Sequence, residues 1–166
     1  MSTQLGAHVT ALRAHEELFA YWAGLRRQGV LPGRGDLDPA GFKRLLPTVS
    51  LIDVLSEAQT PDRPDFRVRL AGTGLYGVYG REITGKRLDE VYNSAAADYW
   101  RVELSKVVAE RRPAVGAHNL GWRGASHLSI LWLRLPLASN GAEVDMILGF
   151  DAVVGMSQMQ SGIRAA

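Results

Sequence analysis

The chain has 166 residues, 46% apolar and 22% charged, with a formal net charge of +2 and no cysteine. That balance suits one globular domain long enough to bury a proper core, and the missing thiols exclude disulfides, thiolate metal sites, a cysteine nucleophile and cysteinyl-flavin chemistry. The small charge, with Lys/Arg runs no longer than two, argues against nucleic acid, and no stretch reaches the ~20 apolar residues of a membrane span.

The N-terminus carries Arg13, Glu16 and Glu17 and lacks the apolar core of a signal peptide, which points to the cytoplasm. Residues 5–28 read as a helix with two apolar strips. Leu5, Val9, Leu12 and Phe19 form one, and Leu18, Tyr21, Trp22 and Leu25 the other. Two strips ask for two neighbours, the domain's own core and something else, unless the helix is simply buried deep in its own domain. After a turn-rich link, Asp38-Pro39 reads as an N-cap followed by proline at the first helical position. Pro47 keeps that helix short.

Residues 48–55 read as a strand and 56–65 as a polar loop. Residues 66–72 alternate Phe66, Val68 and Leu70 with Arg67 and Arg69, a strand with one face in water. Short helical turns broken by glycines occupy 73–92. Residues 94–112 form a clear helix, with Ser94 as cap and Ala96, Trp100, Leu104, Val107 and Val108 on one face. Three strands close the chain: 114–123, 126–138 and 142–154, the last two joined by a turn at 139–141. Leu131, Leu133, Leu135 and Leu137 share a face of one; Val144, Met146, Leu148 and Phe150 share a face of the next, opposite Glu143, Asp145 and Asp151. The sum is an α+β domain with one five-stranded, mainly antiparallel sheet. Residues 1–30 form the N-terminal helix, serving as a dimer or capping element. Residues 31–154 form the domain body, and 155–166 a loose tail.

Gly72, Gly74 and Gly77 have the spacing of a dinucleotide-binding fingerprint. Such a site also needs a strand buried on both faces, a long following helix and a second parallel strand ending in an acid. Arg67 and Arg69 deny the first, glycines at 77, 80 and 85 the second, and the polar setting of Glu90 the third. The glycines instead mark a tight strand-to-helix corner.

Several pieces, in this order and spacing, resemble the PAS superfamily, and more narrowly its short single-domain members common in alphaproteobacteria. They are Asp38-Pro39, Leu46-Pro47, Asp53, Arg69 with Ala71-Gly72-Thr73, Gly80, Thr84-Gly85 and Leu135-Pro136-Leu137. The resemblance covers about residues 20–152. It implies an antiparallel sheet of strand order 2-1-5-4-3 with helices over one face. It also implies a sensory role, with a small molecule held between sheet and helices, or dimerisation through the outer sheet face and N-terminal helix.

Four histidines, His8, His15, His118 and His127, are the candidates for ligation or catalysis. His8 and His15 lie two helical turns apart with no fixed acidic partner, which suits no metal. Ser126 and His127 are strand neighbours and point to opposite faces, so they form no nucleophile–base pair. No nucleophile elbow, zinc-protease motif or phosphate-binding loop occurs. Catalytic and metal residues are therefore expected to be none. Tyr76, Tyr79, Trp100, His118 and Trp122 are the expected pocket walls, with Trp100 the nearest to plain core. Which face His118 presents decides whether it meets a ligand. The expected function is a non-enzymatic sensor that binds a small molecule or a protein partner and acts as a homodimer. The alternatives are a haem- or flavin-holding redox sensor, or a small enzyme on the same fold. The sequence itself requires no cofactor.

Overall fold

The strands β1 (Val49–Leu55), β2 (Asp65–Ala71), β3 (Ala114–Leu120), β4 (Ala125–Leu137) and β5 (Met146–Gly155) form one antiparallel sheet in the order β2-β1-β5-β4-β3. That is the expected order. The computed structural model describes residues 2–56 and 63–155. Most of the expected loop at 56–65, and the expected tail beyond residue 155, lie outside them.

Register assigns the two faces. Phe150 pairs with Val49 and Leu133, and Leu148 with Leu51 and Leu135, so these side chains share one face. Asp151 opposes Trp132, Gly149 opposes Arg134 and Ser50, and His118 opposes Ile130, which puts these on the other face. Helices α2 (Leu75–Tyr79), α3 (Leu88–Val91) and α4 (Ser94–Glu110) cover the second, inner face. Trp100 and Leu104 of α4 are each 1% exposed beneath that cover. Asn93, not Ser94, caps α4, its Oδ1 accepting from the Ala96 N–H at 2.9 Å.

The expected extra N-terminal helix, α1 (Ser2–Leu25), packs on the outer face against β4 and β5. Of its two strips, the one with Leu18 and Trp22 is buried. The other, with Val9, Leu12 and Phe19, is exposed. The Trp22 Nε1–H donates to the Pro136 carbonyl at 2.9 Å, and the His15 Nε2–H donates to the Leu131 carbonyl at 3.0 Å. Tyr21 ties α1 to the 3-10 segment Pro39–Thr48, where its hydroxyl accepts from the Asp38 N–H at 2.7 Å. Asp38 caps that segment as expected, accepting from the Ala40 N–H.

Strand β5 begins at Met146, later than periodicity suggests. Asn140 accepts from the N–H groups of Ala142 and Glu143, and Asp145 from that of Ser139. These local bonds compete with the ladder and turn 139–145 into a longer loop.

The corner after β2 gives the glycine triplet its meaning. A Cβ on Gly72 would sit 2.1 Å from the Leu46 carbonyl oxygen, and one on Gly74 would sit 2.9 Å from that of Pro47. Gly77, inside α2, faces open space. Gly72→Ala must displace backbone and should cost about 3 kcal/mol, the upper end of ordinary overpacking. Gly77→Ala removes a helix-weakening glycine and should be neutral or gain up to about 1 kcal/mol. Urea unfolding of both variants checks the pair, and equal effects would refute this account of the corner.

Candidate functional site

The inner face carries a charged and aromatic cluster where the strands read as mostly apolar. Arg134 on β4 and Asp151 on β5 are each fully buried, and the Arg134 Nη1–H donates to Asp151 Oδ1 at 2.8 Å. The same nitrogen donates to the carbonyls of Leu133 and Phe150. Tyr79, at the end of α2, donates its hydroxyl to Asp151 Oδ2 at 2.7 Å. Tyr92, just after α3, donates to the Tyr79 hydroxyl at 3.3 Å. One chain of hydrogen bonds therefore joins the helical cover to the central strand of the sheet.

Burial makes this chain strong and sets its protonation. Burial, then the Asp151 charge, push the Tyr79 hydroxyl well above the usual phenol range, so it remains a donor. Burial likewise raises Tyr92. Burial alone would lower the Arg134 pKa, but Asp151 and the two tyrosines more than offset it. The Arg134 guanidinium carbon lies 4.7 Å from the Trp100 ring centre and 5.8 Å from that of Trp132, so its faces rest on indoles.

Two glycines clear the space for these large side chains. A Cβ on Gly116 would lie 2.5 Å from the Trp132 ring, and one on Gly149 3.2 Å from Arg134 Nη1.

Four of the five expected pocket residues come together here. Tyr92 lies 4.9 Å from Trp122 and 5.9 Å from Trp100, while Tyr79 lies 6.2 Å from Trp122, centre to centre. His118 points inward, which answers the question of its face. It stacks on Tyr99 at 4.3 Å and meets Trp100 edge-on at 5.6 Å. Burial holds His118 below the usual imidazole range, so it is neutral at pH 7. Tyr76 is not brought in. It is 60% exposed, because on the short helix α2 only Leu75, Val78 and Tyr79 turn inward. The other histidines lie elsewhere: His127 is exposed and His15 packs on Phe150. Among the described residues no cluster of three or more His, Asp or Glu side chains suits a metal ion.

Sequence reasoning missed Arg134, Asp151, Tyr92, Tyr99 and Trp132. The signal for the first two was present: one cation and one anion, each inside an otherwise apolar strand, are affordable only as a pair. Pairing them needed the register between β4 and β5, which periodicity does not supply.

The cluster also tests the cofactor alternatives. The centre of the chamber is filled by Trp100, Trp132 and Arg134, each 2% exposed or less. Tyr99 covers one face of the His118 ring. These residues leave no slot for an isoalloxazine or a porphyrin, and the chain has no cysteine for a flavin adduct. The residues present do not fit either group.

A groove of about 610 Å³ is lined by Ala11 and Ala14 of α1, Gly77 and Val78 of α2, and Phe150 and Asp151 of β5; of the cluster's residues, Asp151 alone lines it. It passes where β5 runs beyond Phe150, the last of its residues to pair with β1.

A family model described as a PAS domain matches residues 10–151. Among solved structures, the PAS domain of Bordetella pertussis BvgS aligns with a TM-score of 0.51 at 17% identity, covering 78% of this chain and 96% of that one. A Rhodobacter sphaeroides LOV protein aligns with a TM-score of 0.51 at 15% identity, covering 78% and 75% respectively. At such identities the likeness is one of fold. No curated protein matches the chain. Among the described residues, no helix is long and apolar enough to cross a membrane.

Proposed function

The chain belongs to the PAS-domain family, and from that premise we propose that it is a non-enzymatic sensory or regulatory module acting as a homodimer. Its inner-face cluster responds to a small molecule, and helix α1 carries the response to the partner copy and to a protein signalling partner. One observation carries this reading: adjacent residues of the central strand β5 serve both faces. Asp151 holds Tyr79 and Arg134 on the inside. Phe150 packs against His15 of α1 on the outside, at 5.6 Å between ring centres. A displacement of Asp151 therefore moves the floor on which α1 rests. A ligand drives such a change only by binding one arrangement better than the other.

The exposed strip of α1 supports the dimer. Leu12 is 48% and Phe19 44% exposed, although both are large apolar residues on an ordered helix. Such a strip gains by meeting its copy across a two-fold axis. The full chain is expected to scatter light as a dimer. Leu12→Glu with Phe19→Glu should give a monomer of unchanged helix content. A monomeric wild-type chain at high concentration would sink the dimer. The sensory reading is tested by native mass spectrometry of the purified chain and by added small molecules; no adduct, and no change in mass or helix content with any, would count against it.

A further inference from the structure

Strand β5 outruns its neighbour on one side. Its residues Asp151–Val154 pair with Ser129–Trp132 of β4. On the other side β1 begins only at Val49, which pairs with Phe150. The chain before Val49 is drawn away as the 3-10 segment Pro39–Thr48, whose Pro47 carbonyl accepts from the Gly74 N–H at 2.8 Å. Among the described residues no backbone bond reaches Asp151, Ala152, Val153 or Val154 from that side. Residues of an antiparallel strand alternate the side to which they direct N–H and C=O, so every second one of these presents both groups to the opening. The same sheet closes its β2 edge with its own chain. There Val68 donates to the Lys86 carbonyl at 2.9 Å and accepts from the Gly85 N–H at 2.7 Å.

The opening is the groove of about 610 Å³. Thr10, Ala11 and Ala14 of α1 wall it over the outer face, and Gly77 and Val78 of α2 over the inner face. The Thr10 hydroxyl is spent on the Gly6 carbonyl, and a Cβ on Gly77 would meet nothing within 4 Å. Asp151 is the one charged side chain among the described residues lining the groove, and Arg134 and Tyr79 already take both its oxygens. The walls therefore leave room for small or apolar side chains and offer a charge no partner. Unpaired backbone groups recur about every 7 Å along a strand, which is the repeat of another strand.

We infer that this slot binds an extended, uncharged segment of a protein partner by strand addition, the segment taking the place beside β5 that β1 leaves open. The inference rests on the reading that the module answers to a protein partner, and it names where that partner docks. The slot touches both parts of that reading, since Asp151 belongs to the inner cluster and Ala11 and Ala14 to α1. A second copy does not suit it. The outer edge a copy could bring is β3, whose inner face already carries Tyr99 of α4, stacked on His118, while the slot already has α2 over that face. Such a head-to-tail contact would also run on without closing.

The probe is a capped hexapeptide of alternating threonine and valine, added to the full chain labelled with nitrogen-15. It is expected to shift the amide signals of Asp151–Val154 and Gly77 saturably, and to slow hydrogen exchange at alternate β5 amides. A twin with its alternate amides methylated keeps every side chain and loses donors. It should bind at least about ten-fold more weakly, the loss of two ordinary hydrogen bonds. Twins with a central lysine or aspartate should bind more weakly than the parent. Gly77→Leu puts a good helix former into the open space, so the chain should stay folded by circular dichroism and lose the peptide. Equal binding of the methylated or the charged twins, or undiminished binding by a folded Gly77→Leu chain, would overturn the inference. Slow exchange of all four amides in the free chain would overturn it too, by showing the slot filled by the chain itself. If no peptide binds but the chain is a dimer that takes up a small molecule, the docking site fails and the sensory reading stands. If all three are missing, both fail.

Discussion

Asp151→Ala is expected to destabilise the fold by about 3–5 kcal/mol, because it leaves the Arg134 charge buried without its partner. Both side chains are 2% exposed, so water cannot take over the lost contact. The same substitution strands the Tyr79 hydroxyl, whose acceptor is Asp151 Oδ2. The charge is the larger part. Asp151→Asn, which keeps an oxygen for Tyr79 but no negative charge, should therefore still cost most of the effect. Replacing the pair together, Arg134→Met with Asp151→Leu, removes both desolvation costs and should recover much of the loss. Urea denaturation of the three variants decides. An Asp151→Ala cost below about 1 kcal/mol, the range of exposed ion pairs, would show that the pair is not sealed from solvent.

This contrast also marks what can be read from a sequence of this kind. Period is legible: the alternation of Leu131, Leu133, Leu135 and Leu137 gives one apolar face, and these residues do share it. The order of the strands is legible through the PAS resemblance. What lies opposite a residue is harder to read, because it is set by register and by contacts between distant segments. Asp151 alternates with Phe150 as a solvent-facing acid would, and only its neighbour across the sheet turns it into a core residue. Tyr76 and Tyr79 are indistinguishable by type and differ by three positions, yet one is exposed and the other is 4% exposed. On a helix as short as α2, the direction of entry from the Gly72 corner decides which ring turns inward. The glycine triplet shows the same limit from the other side. Its spacing matches a nucleotide motif, while Gly72 and Gly74 exist to let the backbone pass the carbonyls of Leu46 and Pro47.

The two strips of α1 could be read from the sequence, but which one the domain keeps for itself could not, and Trp22→Ala measures that choice. Trp22 is 1% exposed, donates to the Pro136 carbonyl, and carries the Arg26 guanidinium 5.1 Å from its ring centre. Its truncation should cost about 3–5 kcal/mol, as for other buried aromatic residues cut to alanine. Phe19→Ala, from the exposed strip, should change the stability of the isolated subunit by less than about 0.5 kcal/mol. If both variants cost about the same, α1 does not rest on the sheet through Trp22. A large difference has a consequence for any dissection of the molecule. Removing residues 1–28 would uncover the outer-face leucines of β4 together with Leu148 and Phe150 of β5, and a bare apolar sheet face aggregates or pairs on its own account. Change of mass after such a truncation therefore says little about the dimer. Point substitutions on the exposed strip, with the buried strip intact, separate the role of α1 in the fold from its role between copies.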